Sequence, residues 1–86
     1  MSAKIQDELE LLQSKDHKLR FAGEYLLVKH KAEALDAIID SYYEGNLGFA
    51  PDCPIAVLEA QSSAMWTYIK LLEYRADLEY VDLPRD

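Results

Sequence analysis

Three side chains of this 86-residue chain have the chemistry to hold an anionic or aromatic ligand. Lys29 borders an apolar helical stripe, where its stem can pack and its ammonium can reach a phosphate. An ion pair with Glu33, four residues on, explains Lys29 equally well. Arg75 lies on a largely apolar stripe, so its guanidinium must meet either a carboxylate of a neighbouring chain or a ligand phosphate held bidentately. Trp66, the only tryptophan, either stacks on a base or fills a contact between chains.

Other kinds of site find little support in the sequence. No nucleophile lies in a recognised elbow, no glycine-rich phosphate loop occurs, and no HExxH-type ligand pair is present. His17 and His30 are too far apart to share a helical turn, so a metal site would need a second chain. Cys53 stands alone, which excludes an internal disulfide and favours a reducing compartment. We therefore expect a protein that is not an enzyme and that uses no metal or cofactor.

The charge balance restricts the partners. Nine Lys and Arg against sixteen Asp and Glu give a net charge of −7, which disfavours duplex nucleic acid and anionic membranes. No apolar run reaches the ~20 residues of a membrane span. The basic residues cluster locally in the first half of the chain, which leaves room for a cationic pocket; they are Lys15, Lys18, Arg20, Lys29 and Lys31.

The elements that must position these residues are helices. Apolar spacings of three and four predict a single all-α domain over residues 1–86, with helices at about 3–14, 16–44 and 54–80. Ser2 and Asp16 are expected to cap the first two helices, and Asp52 or Cys53 the third. The two long helices predict an antiparallel α-hairpin with a short N-terminal helix docked on it.

The hairpin has more apolar surface than one interface needs. The second helix carries an uninterrupted seam of Phe21, Tyr25, Val28, Ala32, Leu35, Ile39 and Tyr42. The third helix carries two stripes. One comprises Leu58, Met65, Tyr68 and Leu72, in phase with Arg75; the other comprises Ala60, Ala64, Thr67, Leu71, Tyr74, Leu78 and Val81 and has the spacing of a helix seam. The polar stripe of the third helix, which includes Trp66, is expected to face water. The surplus predicts a homo-oligomer.

The chain resembles a family of small phage helical hairpins, the anti-CBASS and anti-Thoeris sponges. The resemblance extends over nearly everything from Leu19 to Val81. It rests on Arg20, Glu24, Tyr25, Lys29 and Leu35 in the first long helix and on the segments CPIAVLEAQ, AMWTY and LLEYRADLE in the second.

The resemblance implies a hexamer that binds cyclic di- or trinucleotides, or cyclic ADP-ribose isomers, between protomers and releases them unaltered. Such a protein blocks CBASS- or Thoeris-type defence in the host bacterial cytoplasm. The family's phosphate-contacting lysine matches Lys29, and its late arginine matches Arg75. Family members stack a base on an aromatic near the N-terminus, but no aromatic precedes Phe21 here. Either Tyr25 or Trp66 would take that role, or the ligand would differ.

Two other functions stay open from the sequence. An acidic hairpin could be a protein-binding module that inhibits a host or defence enzyme by mimicking nucleic acid. The fold also suits an oligomeric accessory protein without a ligand. A measurement of cyclic-nucleotide binding distinguishes the sponge hypothesis from both alternatives.

Overall fold

A computed structural model describes residues 8–84, which contain three helices and no strand. α1 is helical over residues 8–12, α2 is His17–Tyr43 and α3 is Ile55–Glu79. The prediction of an all-α chain with two long helices is therefore confirmed. The predicted bounds of the long helices lie one residue outside the observed bounds at each end. The expected cap at Ser2 and residues 3–7 of the predicted first helix lie outside the described residues.

The ends of α2 follow from local chemistry. The Asp16 carboxylate accepts a hydrogen bond of 2.9 Å from the Lys18 amide, as expected of an N-cap. At the other end, Gly45 adopts φ +76°, a conformation that glycine reaches without steric cost. The predicted cap at Asp16 is thus confirmed.

α3 starts differently from the prediction. Pro54 itself is the N-cap, with φ −58° and ψ 144°, and no side chain caps the helix. The expected cap at Asp52 or Cys53 is therefore wrong, because the fixed φ of proline lets it lead directly into the first turn. The helix ends where Tyr80 turns left-handed at φ 57°, and the Val81 amide then donates to the Ala76 carbonyl at 2.8 Å.

α2 and α3 run antiparallel and share one apolar core. Hydrogen bonds join Tyr25 to Glu73 near the open end of the hairpin and Tyr43 to Glu59 near the loop. The core cluster consists of Phe21, Tyr25, Ala32, Ile69, Leu72, Ala76 and Val81. The predicted α2 seam supplies three of these residues, so the seam lies on the face of α2 that packs against α3. No helix among residues 8–84 is long and apolar enough to cross a membrane.

The face that α3 turns to α2 matches the two predicted stripes only in part. The buried residues of α3 are Ser62, Ile69, Leu72 and Ala76. The stripe in phase with Arg75 supplies Leu72 and, partly buried, Met65 to the core. The other stripe faces solvent within the helix, with Leu71 55%, Tyr74 63% and Leu78 61% exposed, and only Val81 beyond the helix end is buried. The contact face includes Ser62 and Ala76, a polar and a small residue, which hydrophobic spacing does not assign to a buried face.

α1 packs across α2 at a glycine. A Cβ atom built on Gly23 would lie 2.9 Å from both Leu11 Cβ and the Leu12 amide nitrogen, so the two backbones approach too closely for a larger residue. This contact places the end of α1 against α2 near the open end of the hairpin.

Candidate functional site

An open cleft of about 500 Å³ lies where the end of α1, the start of α2 and the end of α3 meet. Its lining combines an apolar floor with three basic side chains and one acid; the residues are Leu12, His17, Arg20, Phe21, Glu24 and Arg75. An apolar surface beside convergent charged groups is the usual composition of a small-ligand site. The cleft is therefore the candidate site, and it suits a ligand that is both flat and anionic.

Arg75 lies over an aromatic ring in this cleft. Its guanidinium carbon is 4.7 Å from the centroid of Phe21, and its Nε donates to the Glu79 carboxylate at 3.0 Å. The side chain is 53% exposed, so this ion pair contributes little to folding. The two terminal nitrogens of Arg75, Nη1 and Nη2, donate no hydrogen bond to any acceptor among residues 8–84. The planar fork of N–H groups therefore remains available for a phosphate or carboxylate.

Arg20 is held by the backbone rather than by a carboxylate. Its Nη1 donates to the Ser14 carbonyl at 2.8 Å. With His17 and Lys18 it places basic groups in the first turn of α2, where no acidic residue occurs. The amide groups at a helix N-terminus carry partial positive charge, so cations are unfavourable there and an anion is favourable. The local charges thus favour an anionic ligand despite the acidic chain.

Lys29 belongs to a second polar group on the same hairpin. Tyr25 is fully buried and its hydroxyl donates to Glu73 Oε2 at 2.6 Å. Lys29 Nζ donates to the same hydroxyl at 3.4 Å and lies 5.5 Å from the ring centroid. The Tyr25 ring therefore has no open face for a base, and its hydroxyl instead links Lys29 to a carboxylate.

Comparison with known protein families identifies the group to which this hairpin belongs. The model of the Sequestin family matches residues 15–78, about three quarters of the chain. The chain belongs to the Sequestin family. The match covers α2 and nearly all of α3, including the four residues singled out in the sequence, and confirms the resemblance to phage sponge proteins. No curated protein and no solved structure matches the chain. The family name points to sequestration of a signal molecule.

In this Sequestin chain, the expectation that Trp66 faces water is wrong. The indole is half-buried against the core and its Nε1 donates to Asp36 Oδ2 at 2.8 Å. Ser62 Oγ donates to the other oxygen of the same carboxylate. Asp36 therefore links two points of α3 to α2, and it orients the Trp66 ring within the hairpin.

The four residues named from the sequence separate into three places. Tyr25 and Lys29 form one group, Arg75 lies in the cleft, and Trp66 lies beside Asp36. The cleft also contains Arg20 and Phe21, which the sequence did not single out as ligand-binding residues. Arg20 belonged to the basic cluster noted in the first half of the chain. Nothing in the spacing of Phe21 set it apart from an ordinary core residue.

Proposed function

We propose that this protein sequesters a cyclic nucleotide signal, a cyclic di- or trinucleotide or a cyclic ADP-ribose isomer, without cleaving it. As a phage immune-evasion protein it would act in the host bacterial cytoplasm and block CBASS- or Thoeris-type defence. Membership of the Sequestin family supports capture of a signal molecule. The observation that carries the ligand class is the Arg75 guanidinium above Phe21, with Arg20 in the same cleft.

The cleft chemistry fits a nucleotide for two reasons. Leu12 and the accessible edge of Phe21 line the cleft with apolar groups, and the Arg75 guanidinium, which already lies over the Phe21 ring, offers a flat outer face for a base and planar donors for phosphate oxygens. A ligand of this kind needs a few convergent donors, whatever the net charge of the chain. Lys29, tethered to Tyr25 on α2, supplies a further ammonium for a second phosphate position.

Isothermal titration and thermal shift against a panel of cyclic dinucleotides, cyclic trinucleotides and cyclic ADP-ribose isomers test this proposal. A ligand at a hundredfold excess over Kd should stabilise the fold by ~2.7 kcal/mol. Arg75→Ala should abolish most of that gain, whereas Lys70→Ala, an exposed charge loss on the same helix, should retain it. Lys29→Ala should weaken binding relative to Lys31→Ala. No binding across the panel at ~10 μM would refute the proposal.

The absence of catalysis is part of the proposal and has its own test. Ligand recovered after prolonged incubation and denaturation of the protein should run unaltered on ion-exchange chromatography. A linear product, formed by wild type and lost with Arg75→Ala, would show a nuclease and contradict sequestration.

We further propose that the chain assembles with itself, as a hexamer, through the outer face of α3. This face exposes Val57, Leu71, Tyr74 and Leu78, each more than half accessible. Such a contiguous apolar face on a small domain is costly to leave in water. Light scattering should give a mass several times 9.9 kDa, and Leu71→Lys with Leu78→Lys should reduce it to the monomer. A wild-type monomer at micromolar concentration would refute this step.

A further inference from the structure

α1 contributes to the cleft although it lies outside the residues that the Sequestin model matches. Leu12 forms part of the apolar lining, and the Ser14 carbonyl just beyond α1 anchors the Arg20 guanidinium at 2.8 Å. One wall of the cleft and the position of one of its cations therefore depend on where α1 lies. The Ser14 amide donates to the Leu11 carbonyl at 3.1 Å, so the acceptor of Arg20 is itself attached to the end of α1. If α1 separated from α2, Leu12 would leave the cleft, which would open on that side.

A buried charge fixes α1 on α2. Glu8 is 2% exposed, the only charged residue of 8–84 in the buried class, and its Oε1 contacts His30 Nδ1. A carboxylate removed from water is costly unless it is paired, so the contact with His30 favours the docked position of α1 over others that would bury Glu8 without a partner.

Gly23 provides the second constraint, which is steric. Leu11 Cβ and the Leu12 amide lie 2.9 Å from where a Cβ atom on residue 23 would be, and the Glu8 carbonyl lies at 3.2 Å. Two of these three neighbours are backbone atoms, which cannot move aside without moving α1. The glycine therefore permits the docked position in which Leu12 reaches the cleft.

We propose that Glu8, His30 and Gly23 are positioning residues for the cleft and that docking of α1 is coupled to anion binding there. The inference rests on the proposed function only in requiring that the cleft binds an anion. Coupling between two equilibria is reciprocal, so an anion that binds better when α1 is docked must stabilise docking by the same factor.

The test uses the full chain, inorganic pyrophosphate as probe, and the variant Gly23→Ala. Alanine favours helix over glycine by up to ~1 kcal/mol, so α2 itself should fold at least as well. Gly48→Ala is the matched control, because no atom lies within 4 Å of the Cβ position there. NMR reports pyrophosphate binding through the Nε–H groups of Arg20 and Arg75. Hydrogen exchange reports α1 docking through amides 9–14.

We expect Gly23→Ala to accelerate exchange at amides 9–14 and to weaken pyrophosphate binding at least ~5-fold, the lower end of ordinary coupling. Saturating pyrophosphate should slow the same amides in wild type by a matching factor. Glu8→Ala should reproduce both effects, and Glu10→Ala, an exposed loss of charge on the same helix, should reproduce neither.

Three results would overturn the inference. These are wild type showing no pyrophosphate shift at ~10 mM, Gly23→Ala leaving exchange at amides 9–14 unchanged, or α1 loosening without loss of pyrophosphate affinity. A different result would reject the proposed function alone. Pyrophosphate binding that is coupled to α1, together with no binding of any cyclic nucleotide, would retain the coupling and reject the nucleotide ligand.

Discussion

Replacing Asp36 with alanine should be one of the most destabilising single changes in the hairpin. Its carboxylate accepts from Trp66 Nε1 at 2.8 Å and from Ser62 Oγ, two donors on different turns of α3. Ser62 is buried and Trp66 half-buried, so neither donor regains full hydration when the acceptor is removed. Each unmet buried donor costs about 1–3 kcal/mol. The free energy of unfolding should therefore fall by about 2–4 kcal/mol, discounted for the partial exposure of the indole.

Urea denaturation followed by circular dichroism measures this change, and Trp66 fluorescence reports its cause in the same samples. A loss of this size lowers Tm by about 4–8 °C per kcal/mol for a domain of 60–100 residues. The indole emission should also shift as its N–H loses the carboxylate. Asp36→Asn should recover part of the loss, because one amide oxygen can still accept.

Asp40→Ala is the matched control, since it removes an exposed carboxylate one turn further along α2. If Asp36→Ala destabilised the fold no more than Asp40→Ala, within ~0.5 kcal/mol, Asp36 would not join the helices as described. An unshifted Trp66 emission would separately show that the indole does not depend on this acceptor.

Three further predictions concern other hydrogen bonds and turns. Tyr25→Phe should cost about 1–2 kcal/mol, because Glu73 loses its buried donor; an unchanged urea midpoint would contradict the link. The hydrogen bond to Glu59 raises the pKa of Tyr43 above its usual 10.0, so Glu59→Gln should return it toward 10.0 in a spectroscopic titration. Because the folded-state pKa is raised, this stabilisation is present below pH ~10 and is lost as pH rises through the folded value; an unshifted titration refutes it. Gly45→Ala should destabilise by about 1 kcal/mol through its φ of +76°, and equal thermal stability would count against that strain.

The sequence predicted α2 well because its inward face is marked by size and spacing. Phe21, Tyr25, Ala32 and Ile39 recur at intervals of four, seven and seven, and all are buried. Leu26, Leu27 and Ile38 lie off this face and are only partly buried. The unbroken helical spacing of the seam, rather than a lack of apolar residues elsewhere on α2, therefore identifies the buried side.

α3 has apolar residues on most of its circumference, so periodicity does not select one face. The stripe through Leu71 and Leu78 is larger and more regular than the true seam, yet it is exposed. The seam includes Ser62, which is buried because Asp36 of the other helix accepts its proton. Such a position cannot be recognised before the two helices are aligned, because its partner is 26 residues away.

The candidate site shows the same division between local and long-range information. An arginine within an apolar stripe needs an anion, and that reasoning located Arg75 without a structure. Its stacking on Phe21, the anchoring of Arg20 by Ser14, and the wall formed by Leu12 require three segments to meet. Sequence spacing carries no information about a meeting of this kind.

The position of Arg75 also connects the two proposals made for α3. The preceding residue, Tyr74, is 63% exposed on the outer face, and the following residue, Ala76, is fully buried in the core. Arg75 therefore lies at the border between the face proposed for self-association and the cleft proposed for the ligand. A pocket that holds a small ligand tightly usually buries 70–90% of its surface, which an open cleft on one chain does not achieve. A second chain packed on the outer face of α3 would approach the cleft from the side of Arg75. On the proposed function, self-association and ligand capture are then two consequences of the same helix.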